Sequence, residues 1–366
     1  MGFFLTSIGR YLVFRTVQGV TIALIGVLFS ILLIDLVEQM RSVGTRIDLS
    51  LITALHFTLL KTPMLVEQTL PFIVLAGAMM ATIGLNRSSE LVALRAAGVS
   101  AWRFLSPAAL VGALLGIFVI TTINPLGAWC YGIFEAEKDK ALSDYATTPG
   151  ANGIWIRQGD HNGQVVIHAA SVDRNGSALK DPTFMFFEVR DDTLRFTRRI
   201  RAARAVLRPG FWQISDLVEA TPGGQPVHQT NLALPTTLDQ SEMVDRFVTP
   251  ATLSFWRLPG FIADAKNAGF APTRYELKWQ SLLAYPLFLA AMAALGAVFS
   301  LPLQRLGNLA RWGAAGVGIG LGLFFYGQLA GAFAITQSVP AAVAAWSAPL
   351  AGAFIALALV AFTEDG

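Results

Sequence analysis

The chain has 366 residues, of which 54% are hydrophobic and only 14% are charged, and its net charge is +3. Soluble domains contain about 25% charged residues, so this composition excludes a wholly soluble protein. The small net charge also excludes a protein built to bind nucleic acid. Residues 124–277 hold 16 of the 27 Lys/Arg and 17 of the 24 Asp/Glu, which leaves the rest of the chain strongly apolar. The composition predicts a multi-span membrane protein with one water-soluble insert.

Six apolar runs reach the roughly 20 residues that a helix needs to cross a bilayer. They cover residues 14–36, 64–85, 104–124, 279–301, 312–334 and 341–362. The first run is too long for a signal peptide, and no A-x-A cleavage site follows it. The chain therefore divides into a three-span segment at 1–124, an insert at 125–277 and a second three-span segment at 278–366.

Positive charges in the short loops predict the orientation, because Lys and Arg collect on the cytoplasmic side of a membrane. One side carries Arg10, Arg15, Arg87, Arg95, Arg103, Arg305 and Arg311. The other side carries only Arg41, Arg46 and Lys61. Both termini are therefore expected in the cytoplasm, and the insert is expected outside.

A polar loop at 86–104 (NRSSELVALRAAGVSAWRF) has the pattern of a short helix over about 88–98. Ser88 is placed to cap this helix, and Gly98 is placed to end it. Glu90 lies in the first turn, near the positive end of the helix dipole, and Leu91 and Leu94 share one face. Such a helix either docks a cytoplasmic partner or only turns the chain at the interface, and the residues alone favour neither.

The insert contains short strand patterns separated by turn residues. They cover residues 154–157, 163–172, 183–190, 194–206, 211–219 and 227–234 and predict a sandwich, jelly roll or open barrel. Between 250 and 272 the pattern changes to that of an amphipathic connecting helix near the membrane. A run of arginines at 195–204 is either a solvated face or a surface for an anionic sugar or a neighbouring subunit.

Residues with the spacing of a catalytic or metal site are lacking. The single cysteine, Cys130, excludes a disulfide framework, and no histidine pair has zinc-like spacing. No G-x-x-x-x-G-K-[ST] phosphate-binding loop occurs. We expect no metal, no cofactor and no catalytic residues, so that energy for any active transport must come from a partner.

Several segments together resemble the LptF/LptG permeases, the membrane subunits of the lipopolysaccharide export transporter. The loop SSELVALRAAGVS follows a span that begins TPMLVEQTLPF, and the first span ends in DLVEQMRSVG. Asn124-Pro125 follows the third span, and RYELKW leads into the fourth. The resemblance covers essentially the whole chain. The RYEL-x-W lead and the Gly-rich fifth span are more similar to LptG than to LptF.

The resemblance implies six transmembrane helices with a periplasmic antiparallel β-jelly-roll insert, located in the bacterial inner membrane. It implies a heterodimer with an LptF-like permease, a dimer of the ATPase LptB, a further subunit LptC, and lipopolysaccharide as substrate. Glu90 matches the acidic residue that the family's coupling helix offers to the ATPase, with Leu91, Leu94 and Arg95 as its neighbours. The first and fifth spans would flank the lateral opening through which the lipid enters.

Substrate contacts are expected near the outer leaflet, where the phosphates of lipid A need positive charge. Arg41, Arg46 and Lys61 lie just beyond the outer ends of the first two spans and are either phosphate ligands or ordinary solvated cations. Glu67 is the only ionisable group of the second predicted span, and it either contributes to substrate binding or pairs with Lys61. Asp35 departs from the family, since LptG homologues can carry a basic residue there.

Other features leave two interpretations open. Glycines four residues apart in the fifth span suit either a separable helix interface or generic tight packing, namely Gly316/Gly320, Gly318/Gly322 and Gly327/Gly331. Inward residues of the insert either line a lipid path or form an ordinary core, namely Val166, Phe184, Phe186 and Ile214. A membrane sensor or assembly factor with a β-rich ectodomain is the main alternative outside the family, and it would not need the acid-bearing loop helix.

Overall fold

The computed structural model describes residues 7–42, 50–144, 154–160, 163–172, 178–190, 193–208, 210–236, 249–267, 271–300 and 309–365. The chain forms two compact units. One is built from Met1–Ala136, Ala251–Gly260 and Thr273–Gly366 and contains the membrane-spanning helices. The other is built from Glu137–Pro250 and Phe261–Pro272 and contains the β-sheet.

Six long apolar helices confirm the predicted spans among the described residues. The helices are α1 (Ser7–Ser42), α2 (Leu51–Arg87), α3 (Glu90–Ala96), α4 (Ala101–Phe118), α5 (Asn124–Asp144), α6 (Leu258–Asn267), α7 (Thr273–Phe299), α8 (Leu309–Ile335) and α9 (Ala341–Asp365). Most spans are longer than the apolar runs, because charged and polar residues continue the helices beyond the apolar part. The third span passes through a π-helical turn at Val119–Ile123 into α5, so the chain stays helical past residue 124, where the sequence predicts the insert to begin.

Glycines on α1, α2, α4 and α7 let the helix backbones cross closely. A Cβ added at Gly77 would lie 2.4 Å from Val20 Cα on α1, and one at Gly116 would lie 2.4 Å from Pro286 Cα on α7. A Cβ at Gly296 would lie 2.3 Å from the Leu75 carbonyl oxygen on α2. The glycines of α8 make no comparable backbone contact, and Gly318 has nothing within 4 Å of an added Cβ. An added Cβ at Gly320 would lie 2.7 Å from the Leu75 side chain, and one at Gly316 would lie 3.0 Å from that of Phe299. The glycines of α8 therefore allow tight packing against side chains at these positions, whereas the close backbone crossings are on the other helices.

The spans differ in how much of their surface the chain itself covers. In the most apolar stretch of each span, the buried share is only 17% in α1 and in α8, whereas it is 50 to 61% in the second, third and fourth spans. Large apolar side chains on the uncovered helices include Phe29 and Phe325, each 65% exposed. These two helices therefore carry the largest uncovered apolar surfaces of the bundle.

The predicted strands are confirmed as an eight-stranded antiparallel sheet. The strands are β1 (Ile154–Asp160), β2 (Gly163–Ala169), β3 (Ser171–Val172), β4 (Ala178–Lys180), β5 (Thr183–Arg190), β6 (Thr193–Arg208), β7 (Phe211–Ala220) and β8 (Val227–Pro235). β5 to β8 pair in chain order, and β4 pairs with the second half of β6 beside β5. The short strand β4 has no counterpart among the predicted elements.

A crease crosses this sheet where three strands and the link between β4 and β5 interrupt the regular pairing. Three of the four positions are Ala203 of β6, Asp216 of β7 and Thr230 of β8, and the fourth is Asp181, which lies between β4 and β5 and donates its N–H to the Ala203 carbonyl. Both aspartates have positive φ. The buried side chains of β6 are at even-numbered positions before the crease, Ile200 and Ala202, and at odd-numbered positions after it, Ala205 and Leu207. Such bends let one strand serve two differently oriented sheet regions, as in packed β-sandwiches and jelly rolls.

The core of the sheet tests the predicted inward residues. Phe184 and Ile214 are fully buried, and Phe186 packs against the same core. Val166 is only partly buried, because its neighbour Ile167 occupies the core position and adjacent residues of a strand face opposite ways. The prediction that Val166 points into the core is wrong.

The predicted arginine face and connecting helix are present in part. Arg198 pairs with Glu219 at 3.1 Å, while the arginines around it are exposed, namely Arg195, Arg199, Arg201 and Arg204. Among the described residues of the connector, Leu258–Asn267 is α-helical, and Trp256 lies before it with 63% of its surface exposed.

Candidate functional site

The short loop helix α3 forms where the sequence predicts it, but with a different start. Ser88 does not cap it; the Ser88 hydroxyl donates to the carbonyl oxygens of Gly84 and Leu85 at the end of α2. Ser89 precedes the first residue, Glu90, with a left-handed φ of 60° and no side-chain cap. Gly98 ends the helix at φ 79°, with its N–H donating to the Arg95 carbonyl, as predicted.

The two leucines of α3 face the bundle rather than solvent. Leu91 is only 2% exposed and belongs to the main core cluster, and Leu94 packs partly buried against that cluster. The expectation that both leucines are offered to a partner is therefore not met in this conformation. The exposed face of α3 carries Val92 and Arg95 instead.

Glu90 is tied to α1 by a small polar network. The Tyr11 hydroxyl donates to Glu90 Oε2 at 2.6 Å, and Arg15 Nε donates to that hydroxyl oxygen at 2.8 Å. A guanidinium nitrogen of Arg15 also lies 3.6 Å from Glu90 Oε1. The hydrogen bond from Tyr11 and then the positive charge of Arg15 lower the pKa of Glu90 below its ordinary value. This network keeps Glu90 ionised and holds α3 against the first span.

The candidate phosphate ligands have different surroundings. The Lys61 ammonium forms an ion pair with Asp35, which joins α2 to α1 and is almost completely buried. Lys61 therefore pairs with Asp35, and not with Glu67. Arg41 is exposed at the end of α1. Arg46 lies outside the described residues.

Glu67 is the centre of a second polar network, which joins α2 to α7 and to the start of α5. Pro71 has no N–H, so the Glu67 carbonyl loses its helical donor, and the Tyr285 hydroxyl donates to it from α7. Asn124 Nδ2 donates to Glu67 Oε2 at 2.9 Å, and Asn124 Oδ1 accepts from the Phe255 N–H at 2.8 Å. Asn124 thus joins the second span, the π-helical turn and the segment that leads back into the bundle.

A cavity of about 410 Å³ opens beside Glu67 between α2, α7, α8 and α9. Its polar lining includes Glu67, Lys278 and Gln328, and its apolar lining includes Phe288 and Phe324. Lys278 is part of the RYELKW segment, but its place in a cavity cannot be read from that motif. The only sequence signal was an ionisable residue at the outer end of an apolar span.

The described residues contain no group of three or more His, Cys, Asp or Glu side chains that could hold a metal ion.

This architecture defines a class: a polytopic membrane protein with three spans on each side of an antiparallel β insert, and a short polar helix between its second and third spans. Residues 10–361 match the family model described as "Lipopolysaccharide export system permease LptF/LptG". The chain therefore belongs to the LptF/LptG family of lipopolysaccharide export permeases.

A curated relative gives a narrower similarity. The "Lipopolysaccharide export system permease protein LptG" of Haemophilus influenzae is 25% identical over 319 residues, which cover 84% of this chain and 85% of that protein.

Proposed function

We propose that this chain is the LptG-type permease subunit of a transporter that extracts lipopolysaccharide from the inner membrane and passes it toward the outer membrane. The observation that carries the proposal is the family match over residues 10–361, which includes both halves of the bundle and the insert between them. The similarity to an LptG protein and the RYEL-x-W segment support LptG over its paralogue LptF.

The partners follow from the family's assembly: an LptF-like permease, an ATPase dimer of the LptB type, and LptC. The positive loops support cytoplasmic termini and a periplasmic β insert. The apolar faces of α1 and α8 are the surfaces that the second permease and the lipid would cover. The chain itself binds the lipid and couples its movement to the ATPase, and the separate ATPase hydrolyses ATP.

The coupling surface in this proposal is the half-buried Glu90 together with the exposed Val92 and Arg95 of α3. Leu91 and Leu94 contribute by packing α3 onto the bundle, so that a push on the helix reaches the spans. A carboxylate that meets a basic groove forms a directional, charge-assisted contact. Glu90 either keeps its Tyr11 bond while it accepts a partner's cation or exchanges one for the other.

The exported lipid would meet positive charge at Arg41 and Arg46, near the outer ends of α1 and α2. Lys61 is less suited to this role than the sequence suggested, since it already neutralises Asp35. Glu67 is held by Asn124 beside a separate cavity, and we do not assign it to the exported lipid.

Affinity purification from the native membrane in mild detergent tests the proposal, with mass spectrometry of the proteins and lipids that co-purify. We expect one LptF-like permease, an LptB-like ATPase and lipopolysaccharide. Recovery of an LptG-like permease instead would assign the chain to the LptF branch. A lone protein, under conditions that preserve other transporters, would favour the sensor or assembly-factor alternative.

Two variants separate recognition by Glu90 from positioning of α3. Glu90→Arg should lose the ATPase, whereas the same reversal at the exposed Glu38, at the opposite end of α1, should retain it. Tyr11→Phe keeps the Glu90 carboxylate and removes only its anchor. If Glu90→Arg loses the ATPase and Tyr11→Phe retains it, the ATPase recognises the Glu90 carboxylate directly. If both variants lose it, binding also requires that Tyr11 holds α3 in position.

A further inference from the structure

The cavity between α2, α7, α8 and α9 has a volume that is typical of ligand pockets in proteins. Lys278 and Ser281 lie near its start on α7, and Phe288 lies ten residues after Lys278, which is about 15 Å along a helix. Phe324 of α8 lies deeper as well, because its ring is 5.1 Å from that of Phe72 on α2. Phe72 follows Glu67 by five residues along α2. The cavity therefore has a polar outer end and an apolar inner end.

The outer end presents one charge of each sign. Lys278 lines the cavity half-buried, and within the described residues its ammonium has neither a hydrogen bond nor an ion pair closer than 4 Å. Glu67 attracts this ammonium by its charge, but the Asn124 amide bonds its Oε2. Burial of a charge without a close partner is costly, so an outside group is expected to complete this pair.

A zwitterionic head group with a primary amine fits both charges. A phosphate would accept from Lys278, and a primary ammonium would donate to the second oxygen of Glu67. A purely anionic head group would gain at Lys278 but would be repelled by Glu67. A quaternary ammonium would be attracted by Glu67 without donating a hydrogen bond to it.

We propose that this cavity is a binding site for an aminophospholipid of the bilayer. The phosphate contacts Lys278, the primary ammonium contacts Glu67, and one acyl chain lies against Phe288 and Phe324. About 410 Å³ is too small for a multi-acyl glycolipid, so the occupant is a structural lipid distinct from the exported one. The site does not depend on which cargo the transporter moves.

Lipid titration of the delipidated, full-length protein in detergent, followed by native mass spectrometry, tests the proposal. The probes are phosphatidylethanolamine, phosphatidylcholine and phosphatidylglycerol with identical acyl chains. We expect phosphatidylethanolamine to bind about tenfold more tightly than either of the others, which is the size of one charge-assisted hydrogen bond. Equal affinity for all three lipids would overturn the proposal.

The variants assign the preference to the two charges. Lys278→Met should weaken the binding of phosphatidylethanolamine about tenfold. The control Arg274→Gln removes an exposed charge one turn earlier on α7 and should leave the affinity unchanged. Glu67→Gln keeps an acceptor for Asn124 but should abolish the preference for the primary amine over phosphatidylcholine. An unchanged preference in Glu67→Gln would show that Glu67 does not contact the head group.

A third pair of variants tests the place of the acyl chain and does not alter a charge. Ala345→Phe puts a ring into the cavity and should block binding, while Ala342→Phe on the exposed side of α9 should not. Retained binding in Ala345→Phe would exclude this cavity.

Two competitors distinguish the source of the head group. Phosphoethanolamine alone should not displace the lipid, and displacement would reduce the site to one for a small zwitterion. Lipid A should not displace it either, and displacement that depends on Lys278 would make the cavity part of the export route. Neither result would alter the co-purification that tests the proposed function.

Discussion

Single polar residues hold this bundle together at both ends of the membrane. At one end of the bundle Glu90 bonds with Tyr11 of the first span, and toward the other end Asp35 pairs with Lys61. Charged groups at these depths are expensive unless paired, so each pair fixes the position of one helix against another. These contacts give the helices defined registers that apolar packing alone would specify less well.

The Glu90 network predicts a pH dependence for the docking of α3. Because the folded state lowers the pKa of Glu90, the stabilisation is present above the ordinary glutamate value of 4.5 and is lost as the pH falls through the lowered value. Hydrogen exchange at residues 88–98, corrected for intrinsic rates, should show loss of protection in that acidic range. Tyr11→Phe should move the loss toward higher pH, and Glu90→Gln should remove the pH dependence. Protection that falls identically in all three proteins would contradict this role.

The Asp35–Lys61 pair predicts a stability cost that a free phosphate ligand would not show. Lys61→Met leaves a buried carboxylate unpaired and should lower the free energy of unfolding by about 3 kcal/mol. Asp35→Leu with Lys61→Met should recover most of that loss, because two apolar groups replace the pair. Unfolding of the purified protein in bicelles by added detergent measures both. A Lys61→Met protein of unchanged stability but weaker lipopolysaccharide binding would instead support a role for Lys61 in the substrate site.

At the scale of elements, close helix crossings at glycine decide which spans form the rigid part of the bundle. The crossings join α1 to α2, α2 to α7 and α4 to α7, and they do not involve α8. In addition, the proline at position 71 leaves a carbonyl that Tyr285 satisfies, so the α2–α7 contact has both packing and a hydrogen bond. We infer that α2, α4 and α7 move together, whereas α8 is held less tightly.

The same substitution should have opposite effects at two glycines. Gly116→Ala would place a methyl group 2.4 Å from the Pro286 Cα and should destabilise the protein by about 2 kcal/mol through separation of α4 and α7. Gly84→Ala has nothing within 4 Å of the added carbon, and it should stabilise α2 by up to about 1 kcal/mol. Thermal unfolding in detergent measures both. Equal effects at the two positions would argue against a close crossing at Gly116.

At the scale of the whole molecule, uncovered apolar surface marks the faces that the proposed second permease would cover. α1 and α8 lie at the edges of the bundle, since only 17% of the most apolar stretch of each helix is buried. In a bilayer such faces are stable against lipid, but the proposed heterodimer gives them a protein partner and a lipid path between the subunits. The looser attachment of α8 suits an interface that opens and closes.

Cysteine cross-linking should detect this interface in the assembled transporter. In a Cys130→Ser background, Phe29→Cys on α1 and Phe325→Cys on α8 should each cross-link to the partner permease when paired with cysteines on its matching spans. Phe354→Cys on α9 is equally exposed, at 67%, and should not cross-link. Cross-linking from α9 but not from α1 or α8 would place the partner on another face.

The sequence by itself determined which segments are helices, which are strands and which enter the membrane. Six apolar runs, the clustering of charge in the insert and turn residues such as Gly98 and Gly210 are local signals, because they reflect burial and backbone conformation residue by residue. Local residues such as Gly98 likewise predicted a helix within 88–98, and family motifs identified the permease class. The predicted strand boundaries within the insert were close to those observed. The main error there was at Val166, which was assigned to the core face of its strand although its neighbour Ile167 faces the core.

Only the tertiary structure decided which polar residues meet. Glu90 and Tyr11 are 79 residues apart, Glu67 and Asn124 are 57 apart, and Phe255 lies 131 residues beyond Asn124. Such contacts depend on how each helix is rotated and on where it crosses its neighbour, and a single sequence does not encode either in a local pattern. For the same reason, the leucines of α3 could be placed on one face but not assigned to the bundle. The cavity at Lys278 exists only because four helices converge there.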